Sequence, residues 1–253
     1  MKTLLRIVGG LIVIGVVVLL GLIFVPMRRT GALVELPANY EPPKGAGEQV
    51  AIAADCAACH TAPGGKPFAG GRAIVSPFGT IYSSNITPDK ETGIGSYTLD
   101  DFRGALYDGV RNDGAHLYPA MPYPSYRKMT EQDVRALYAY LTEQVPAVES
   151  NVPETRLSFP FNQRWGIRLW DWVSLPPVGF KPSTGDARLD RGAYLVQALA
   201  HCGACHTPRD ALTFAEKGYD SRSAAFLSGG AVGAWPAPDL RAGNSAAQRW
   251  SEA

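Results

Sequence analysis

The chain has 253 residues and carries 24 Lys and Arg against 23 Asp and Glu, a net charge of +1. So even a balance gives no case for a nucleic-acid partner. Its 27 glycines and 20 prolines point to loop-rich domains, and only four cysteines and four histidines are available for metal or redox chemistry.

At the N-terminus, Lys2 and Arg6 precede an uncharged run from Ile7 to Val25. That run is long enough to cross a bilayer as a helix. It enters Pro26-Met27-Arg28-Arg29 with no small-x-small cleavage site, so an uncleaved anchor over residues 1–30 is favoured over a secretory signal. Basic residues flank both ends, so charge alone does not orient it. Residues 31–44 read as a Pro-rich linker. The remainder is long enough for two domains of about 100 residues each.

The first unit is expected over residues 45–150. A helix from Ala46 to Cys56 delivers Cys56-Ala57-Ala58-Cys59-His60. The pattern C-x-x-C-H is the attachment signature of c-type haem. Each cysteine sulfur forms a thioether to a porphyrin vinyl group, and the histidine lies under the ring to coordinate iron. A redox dithiol, a disulfide or half of a zinc site would use the cysteines but leave the histidine unexplained. Phe68 to Pro88 lacks helical periodicity and reads as loop around the porphyrin. Thr98 caps a helix over Leu99–Asp108, with Asp101 in its first turn and Gly109 past its end. Thr130 caps another from Glu131 to Glu143, where Val134, Leu137, Tyr138 and Leu141 follow the i, i+3, i+4, i+7 spacing. Pro146 stops it. Between these helices, Met121 sits among Pro119, Pro122 and Pro124 in a stretch without periodicity. A thioether is a common sixth ligand in electron-transfer haems, so Met121 is the expected distal ligand. Met129, beside the Thr130 cap, and His116, read as a solvated loop histidine, are its competitors.

Residues 151–185 form an aromatic connector containing Phe159, Phe161, Trp165, Trp170 and Trp172. It is expected to pack between domains; the alternative is a docking surface for a partner or the membrane. A second unit over 186–253 opens with a helix from Asp190 into Cys202-Gly203-Ala204-Cys205-His206, a second C-x-x-C-H. All four cysteines are thereby consumed. Phe68-Ala69-Gly70-Gly71 is echoed by Leu227-Ser228-Gly229-Gly230, and Asn85-Ile86-Thr87 by Asp239-Leu240-Arg241, which predicts a duplication. After His206 the sequence holds neither methionine nor histidine. The second copy therefore reads as incomplete, with Gln248–Ala253 as the start of a helix and the chain as a fragment of a longer protein.

The fold class expected is mainly α, with tandem class I cytochrome c domains after an N-terminal transmembrane helix. Covalent haem attachment in bacteria takes place outside the cytoplasmic membrane, so the domains should face the periplasm. The cofactor-binding residues expected are Cys56, Cys59, His60, Met121, Cys202, Cys205 and His206, with His60, Met121 and His206 on iron. Tyr82, Asn85 and Arg72 are candidates for hydrogen bonds to haem propionates.

Four segments carry a resemblance. Ser83-Ser84-Asn85-Ile86-Thr87-Pro88-Asp89, Tyr118-Pro119-Ala120-Met121-Pro122-Tyr123, Phe159-Pro160-Phe161-Asn162-Gln163-Arg164-Trp165 and Arg191-Gly192-Ala193-Tyr194-Leu195-Val196 resemble the multihaem cytochrome c subunits of bacterial membrane-bound dehydrogenases. Those subunits serve quinoprotein alcohol dehydrogenases and flavin-dependent gluconate, sorbitol and fructose dehydrogenases; some relatives serve molybdenum enzymes. The resemblance implies an electron-transfer subunit, not a catalytic one. It would carry electrons from a subunit bearing pyrroloquinoline quinone, flavin or molybdenum through its haems to membrane ubiquinone. Family members usually carry three C-x-x-C-H motifs, so a third haem is expected if the full protein is longer. Two other readings remain: a dihaem peroxidase-like enzyme with an open second iron, and a free dihaem electron carrier.

Overall fold

The apolar N-terminal run forms a helix, α1 (Lys2–Phe24), none of whose residues over Lys2–Gly21 is buried in the computed structural model. The structure describes residues 1–24, 29–37, 39–241, 243 and 245. Past α1 the chain is tied to the first unit. Arg29 pairs with Asp101, and Thr30 donates its N–H and its hydroxyl to the two oxygens of Asp108, both at 2.7 Å.

The first unit is built on two helices in close contact. α2 (Ala46–Ala53) crosses α6 (Glu131–Ala139) at Gly47, where a Cβ would lie 2.1 Å from the carbonyl oxygen of Ala136. Glycine is required there by the approach of the two backbones. The single helix expected from Ala46 to Cys56 is in fact two. Asp55 adopts φ 52° and turns the chain before α3 (Cys56–His60) begins. Asp tolerates this left-handed region better than most residues.

α4 (Leu99–Asp108) keeps the expected bounds. Thr98 and Asp101 form a reciprocal capping box, and Gly109 closes the helix at φ 61°. α6 ends earlier than expected, at Ala139. The chain continues to Gln144 as one wider, π-type turn, with Val145 donating back to Tyr140 at 3.2 Å. Phe102, Leu106, Val134, Leu137 and Leu141 are buried as their spacing predicts, and Tyr138 reaches the carbonyl of Tyr97. Arg103 and Glu131 join α4 to α6 by a buried ion pair, with Arg135 on the same carboxylate at 3.0 Å. A short helix, α5 (Tyr123–Tyr126), follows Pro122.

The segment Phe68–Pro88 is not loop throughout. β1 (Ala73–Ser76) and β2 (Gly79–Tyr82) form an antiparallel hairpin, joined by β3 (Arg156–Leu157) on the far side of β2. Strands of two to four residues are too short for their alternation to be read from residue type, although β1 does alternate exposed and half-buried side chains.

The aromatic connector contains a helix, α7 (Arg164–Ser174). Beyond it come α8 (Ala187–Tyr194), capped by Asp186, a π-type turn over Leu195–Leu199, and α9 (Gly203–His206). A second hairpin pairs β4 (Gly230–Val232) with β5 (Trp235–Ala237). The helix expected to start at Gln248–Ala253 lies outside the described residues.

Tyr194, Ala198 and Leu199 of the second segment are buried in the same apolar cluster as Val50, Leu106, Met129 and Leu137 of the first. Tyr194 also donates its hydroxyl to Asp133 at 2.5 Å and accepts from the N–H of Thr130 at 3.1 Å. The second segment thus docks on the capped end of α6.

Candidate haem-binding sites

In the first motif, α3 carries both cysteines and places the His60 ring against the foot of the β1–β2 hairpin. His60 Nδ1 lies 2.7 Å from the carbonyl oxygen of Ser84. A carbonyl can only accept, so Nδ1 carries the proton and Nε2 is left with its lone pair for a metal. Burial pushes the imidazole further towards its neutral form. Around this centre, Gly70 donates to the His60 carbonyl at 2.8 Å, and the Phe68 N–H donates to Thr61 Oγ1 at 3.1 Å. Phe68 itself stands at φ 61° and accepts from Ile86 at 2.9 Å.

The second motif repeats these contacts. His206 Nδ1 is 2.8 Å from the carbonyl of Pro238, directly after β5. Gly229 donates to the His206 carbonyl at 2.8 Å, and the Leu227 N–H donates to Thr207 Oγ1 at 3.1 Å. Leu227 stands at φ 58° and accepts from Leu240 at 3.0 Å. The residues preceding the first cysteine match as well: Asp55 at φ 52° and His201 at φ 39°. Both echoes seen in the sequence therefore correspond to equivalent backbone hydrogen bonds.

The donor set fits covalent haem. The four cysteines are not bonded to one another. Burial, with the charge of Asp55 adding to it, pushes the Cys56 thiol up to about 12, and burial also raises Cys59 and Cys202. With no metal bound, these surroundings favour the neutral thiol at Cys56, Cys59 and Cys202. Among the described residues no three His, Cys, Asp or Glu side chains converge on one point, so the two motifs do not combine into one tetrahedral site. Cys56, Ile86, Tyr97, Leu99 and Met121 are half-buried side chains packed against the apolar cluster of the first unit, an apolar margin beside the motif.

The expected ligand candidates separate by environment. Met129 is fully buried in the core, and its carbonyl accepts from Tyr107. It is a packing residue. His116 is not solvated as expected. Its Nδ1 is 3.0 Å from the buried carboxylate of Asp171, which also accepts from Tyr123 at 2.7 Å. Asp171 reaches across from α7 and holds the chain on both sides of Met121. Leu117 adds a bond to the Gly109 carbonyl at 2.7 Å, and Met121 N–H donates to Tyr118 at 3.2 Å. Met121 is half-buried between these anchors, packed against the apolar cluster.

Of the propionate candidates, Asn85 is a correction. Its amide donates to Thr92 at 3.0 Å and to Val148 at 2.7 Å, and its oxygen accepts from Thr87. It is buried and fully occupied as a loop staple. Tyr82 is half-buried in β2. Arg72 is exposed, and its charge acts on Cys59.

Sequence reasoning missed Tyr126. Its hydroxyl donates to Ala54 at 2.7 Å, and its ring meets His201 edge-on at 5.6 Å. The turns that lead into the two motifs thus meet at one side chain. It also missed the carbonyls of Ser84 and Pro238, which leave no mark in residue identity.

Residues 45–144 match the family described as Cytochrome c, and this stretch is a cytochrome c domain. The relatives narrow the class. The chain is 47% identical over 212 residues to the gluconate 2-dehydrogenase cytochrome c subunit of Pantoea cypripedii, covering 81% of this chain and 48% of that one. It is 46% identical over 211 residues to the alcohol dehydrogenase (quinone) cytochrome c subunit of Gluconobacter oxydans, covering 81% and 44%. It is 38% identical over 176 residues to a diheme cytochrome c-type protein of Cereibacter sphaeroides, covering 68% and 59%. The chain is a relative of the cytochrome c subunits of bacterial dehydrogenases, and it spans less than half the length of those subunits.

Proposed function

We propose that this chain is an electron-transfer subunit of a membrane-bound dehydrogenase. It takes electrons from a periplasmic catalytic subunit bearing pyrroloquinoline quinone, flavin or molybdenum and passes them to ubiquinone or another respiratory acceptor. The observation that carries the reading is the repeated cradle, in which each histidine of a C-x-x-C-H turn gives its Nδ1 proton to a backbone carbonyl. Haem c at each motif would supply a one-electron ferric/ferrous couple. Cys56 and Cys59, and Cys202 and Cys205, would hold the two porphyrins by thioethers. His60 and His206 would present Nε2 to iron, each fixed in orientation by its carbonyl partner. Met121 would present its thioether to the first iron from the loop that Asp171 braces. Arg72, exposed beside Cys59, is the cation best placed to meet a propionate.

The matched contacts support two tandem units, over 45–150 and 186–253, with the connector 151–185 between them. Their leading turns meet at Tyr126, which favours electron exchange between the units. The apolar α1 supports a membrane anchor, with the domains on the periplasmic side. The relatives named as dehydrogenase subunits do not favour the peroxidase-like alternative.

The test uses the native complex purified from membranes with its dehydrogenase. Adding that enzyme's substrate to the oxidised complex should reduce the haem, seen as growth of the α-band. A complex that turns over with an artificial acceptor while its haem stays oxidised would refute the reading. Met121→Ala should lower the potential of one haem and open it to carbon monoxide; an unchanged titration would remove Met121 from the iron.

A further inference from the structure

We propose that α7 lies in the membrane interface, with Trp165, Trp172 and Val173 set against lipid. The proposal rests on α1 as the spanning helix and adds a second membrane contact on a different element. α7 is two-faced. Ile167, Arg168, Asp171 and Ser174 are buried, one helical turn apart, and Trp170 donates its ring N–H to the carbonyl of Thr213 at 2.6 Å. On the other face Trp165, Trp172 and Val173 are 46%, 51% and 74% exposed, and Phe159 just before the helix is 78% exposed. Trp165 and Trp172 are seven residues apart, so they stand in line on one side of the helix.

The occupant follows from where this face is. α7 packs against α1, and Arg168 Nη1 donates to the carbonyl of Ile23 at 3.2 Å. Ile23 is in the last turn of a 23-residue helix. At about 1.5 Å per residue that helix is about 34 Å long, against a hydrocarbon core of about 30 Å. The end at Ile23 therefore sits at the headgroup level, and α7 sits there with it. The chain beyond is clamped by Arg29–Asp101 and Thr30–Asp108, which fixes the unit close to that end. Tryptophan and arginine are the residues this depth favours. A cleft of about 420 Å³ opens between the two helices, walled by apolar Ile23, Phe24 and Trp165 and by Arg29, Arg164 and Arg168. Arg29 is committed to Asp101 and to the carbonyls of Arg111 and Asn112, but apolar walls with the guanidinium groups of Arg164 and Arg168 complement a phospholipid, whose acyl chain and phosphate meet at this level. A protein partner would have to occupy a band that lipid already fills.

The experiment is labelling of the full protein in its native membrane with a membrane-soluble carbene reagent, followed by peptide mapping. Label is expected on α1 and on residues 159–174, the latter within about threefold of α1 per residue, since an interfacial helix is half-immersed. Label on α1 with none on 159–174 would overturn the proposal and mean that a protein surface covers α7. Label on neither would instead overturn the anchor reading on which it rests. Trp172→Glu should reduce labelling of 159–174 and leave the haem spectrum unchanged; labelling that persists at the original level would also refute the contact.

Discussion

The two C-x-x-C-H units share a cradle and differ in almost everything outside it. In both, a left-handed residue precedes the first cysteine, a hairpin follows the histidine, and the carbonyl just beyond that hairpin holds the ring. The first unit surrounds this cradle with α2, α4, α5 and α6 and a buried cluster of its own. The second has α8, α9 and a hairpin whose Val232 and Trp235 are exposed, and it lends Tyr194, Ala198 and Leu199 to the core of the first. The histidine cradle is therefore a local device of a few dozen residues, separable from the core that stabilises it. The helical lead-in to the second cradle is buried against the first unit, while the cradle itself is closed by its own Thr207, Phe226 and Leu227.

That asymmetry can be broken from either side. The largest effect is expected at Glu131. Its removal leaves Arg103 buried without its main partner, and loss of one member of such a pair costs about 3–5 kcal/mol. Urea unfolding of Glu131→Ala should show that loss, and the second unit should unfold with the first because it shares the cluster. A second unit that survives separately would contradict the dependence.

Glu216 probes the second unit from within, with Lys128 of the first unit as a neighbouring charge. Burial raises its carboxyl from 4.5 to about 7. The folded state then holds this proton more tightly than the unfolded chain does. Its stabilising effect is complete below pH 4.5 and is lost as pH rises towards 7, a loss of at most roughly 3 kcal/mol. Stability measured across that window should fall with rising pH by less in Glu216→Gln. An identical slope in the variant would mean that the carboxyl titrates normally.

The matched glycines give a smaller, direct comparison. Gly70 stands at φ 73°, and a Cβ there would lie 2.5 Å from the Ser84 carbonyl carbon; Gly229 stands at φ 92° with its nearest contact at 3.2 Å. Both pay about 1–2 kcal/mol for a left-handed alanine, and only Gly70 adds a backbone clash. Gly70→Ala should therefore destabilise more than Gly229→Ala by about 1–3 kcal/mol, read from thermal melts. The smallest effect is expected for Tyr194→Phe. It removes one hydroxyl from Asp133 and Thr130 and should cost about 1 kcal/mol.

Much of this was legible from local signals. The capping residues and Gly109 bounded α4, and the 3.6-residue spacing found the buried face of α6. The matched hydrogen bonds around the two histidines left two short echoes in the sequence because backbone geometry at Gly70 and Gly229 restricts residue choice. What escaped depended on long-range partners. The role of His116 is set by Asp171, 55 positions away. Asn85 reads as a free amide until Val148 is placed beside it. The hairpin β1–β2 was too short for its alternation to be read from residue type. α7 carries a helical signature in Trp165 with Trp172 and in Ile167 with Asp171 and Ser174, but its buried face mixes Ile167 with charged and polar residues while its exposed face is aromatic, which blurs the apolar periodicity.

The central claim is that both cradles carry a covalent haem. The direct measurement is the intact mass of the protein after acid denaturation, with haem-bearing peptides mapped after digestion. The account predicts one covalent haem on the peptide with Cys56 and Cys59 and one on the peptide with Cys202 and Cys205. A protein with haem on the first peptide and free thiols on the second would contradict it, and would make the repeated geometry around His206 a fold without its cofactor.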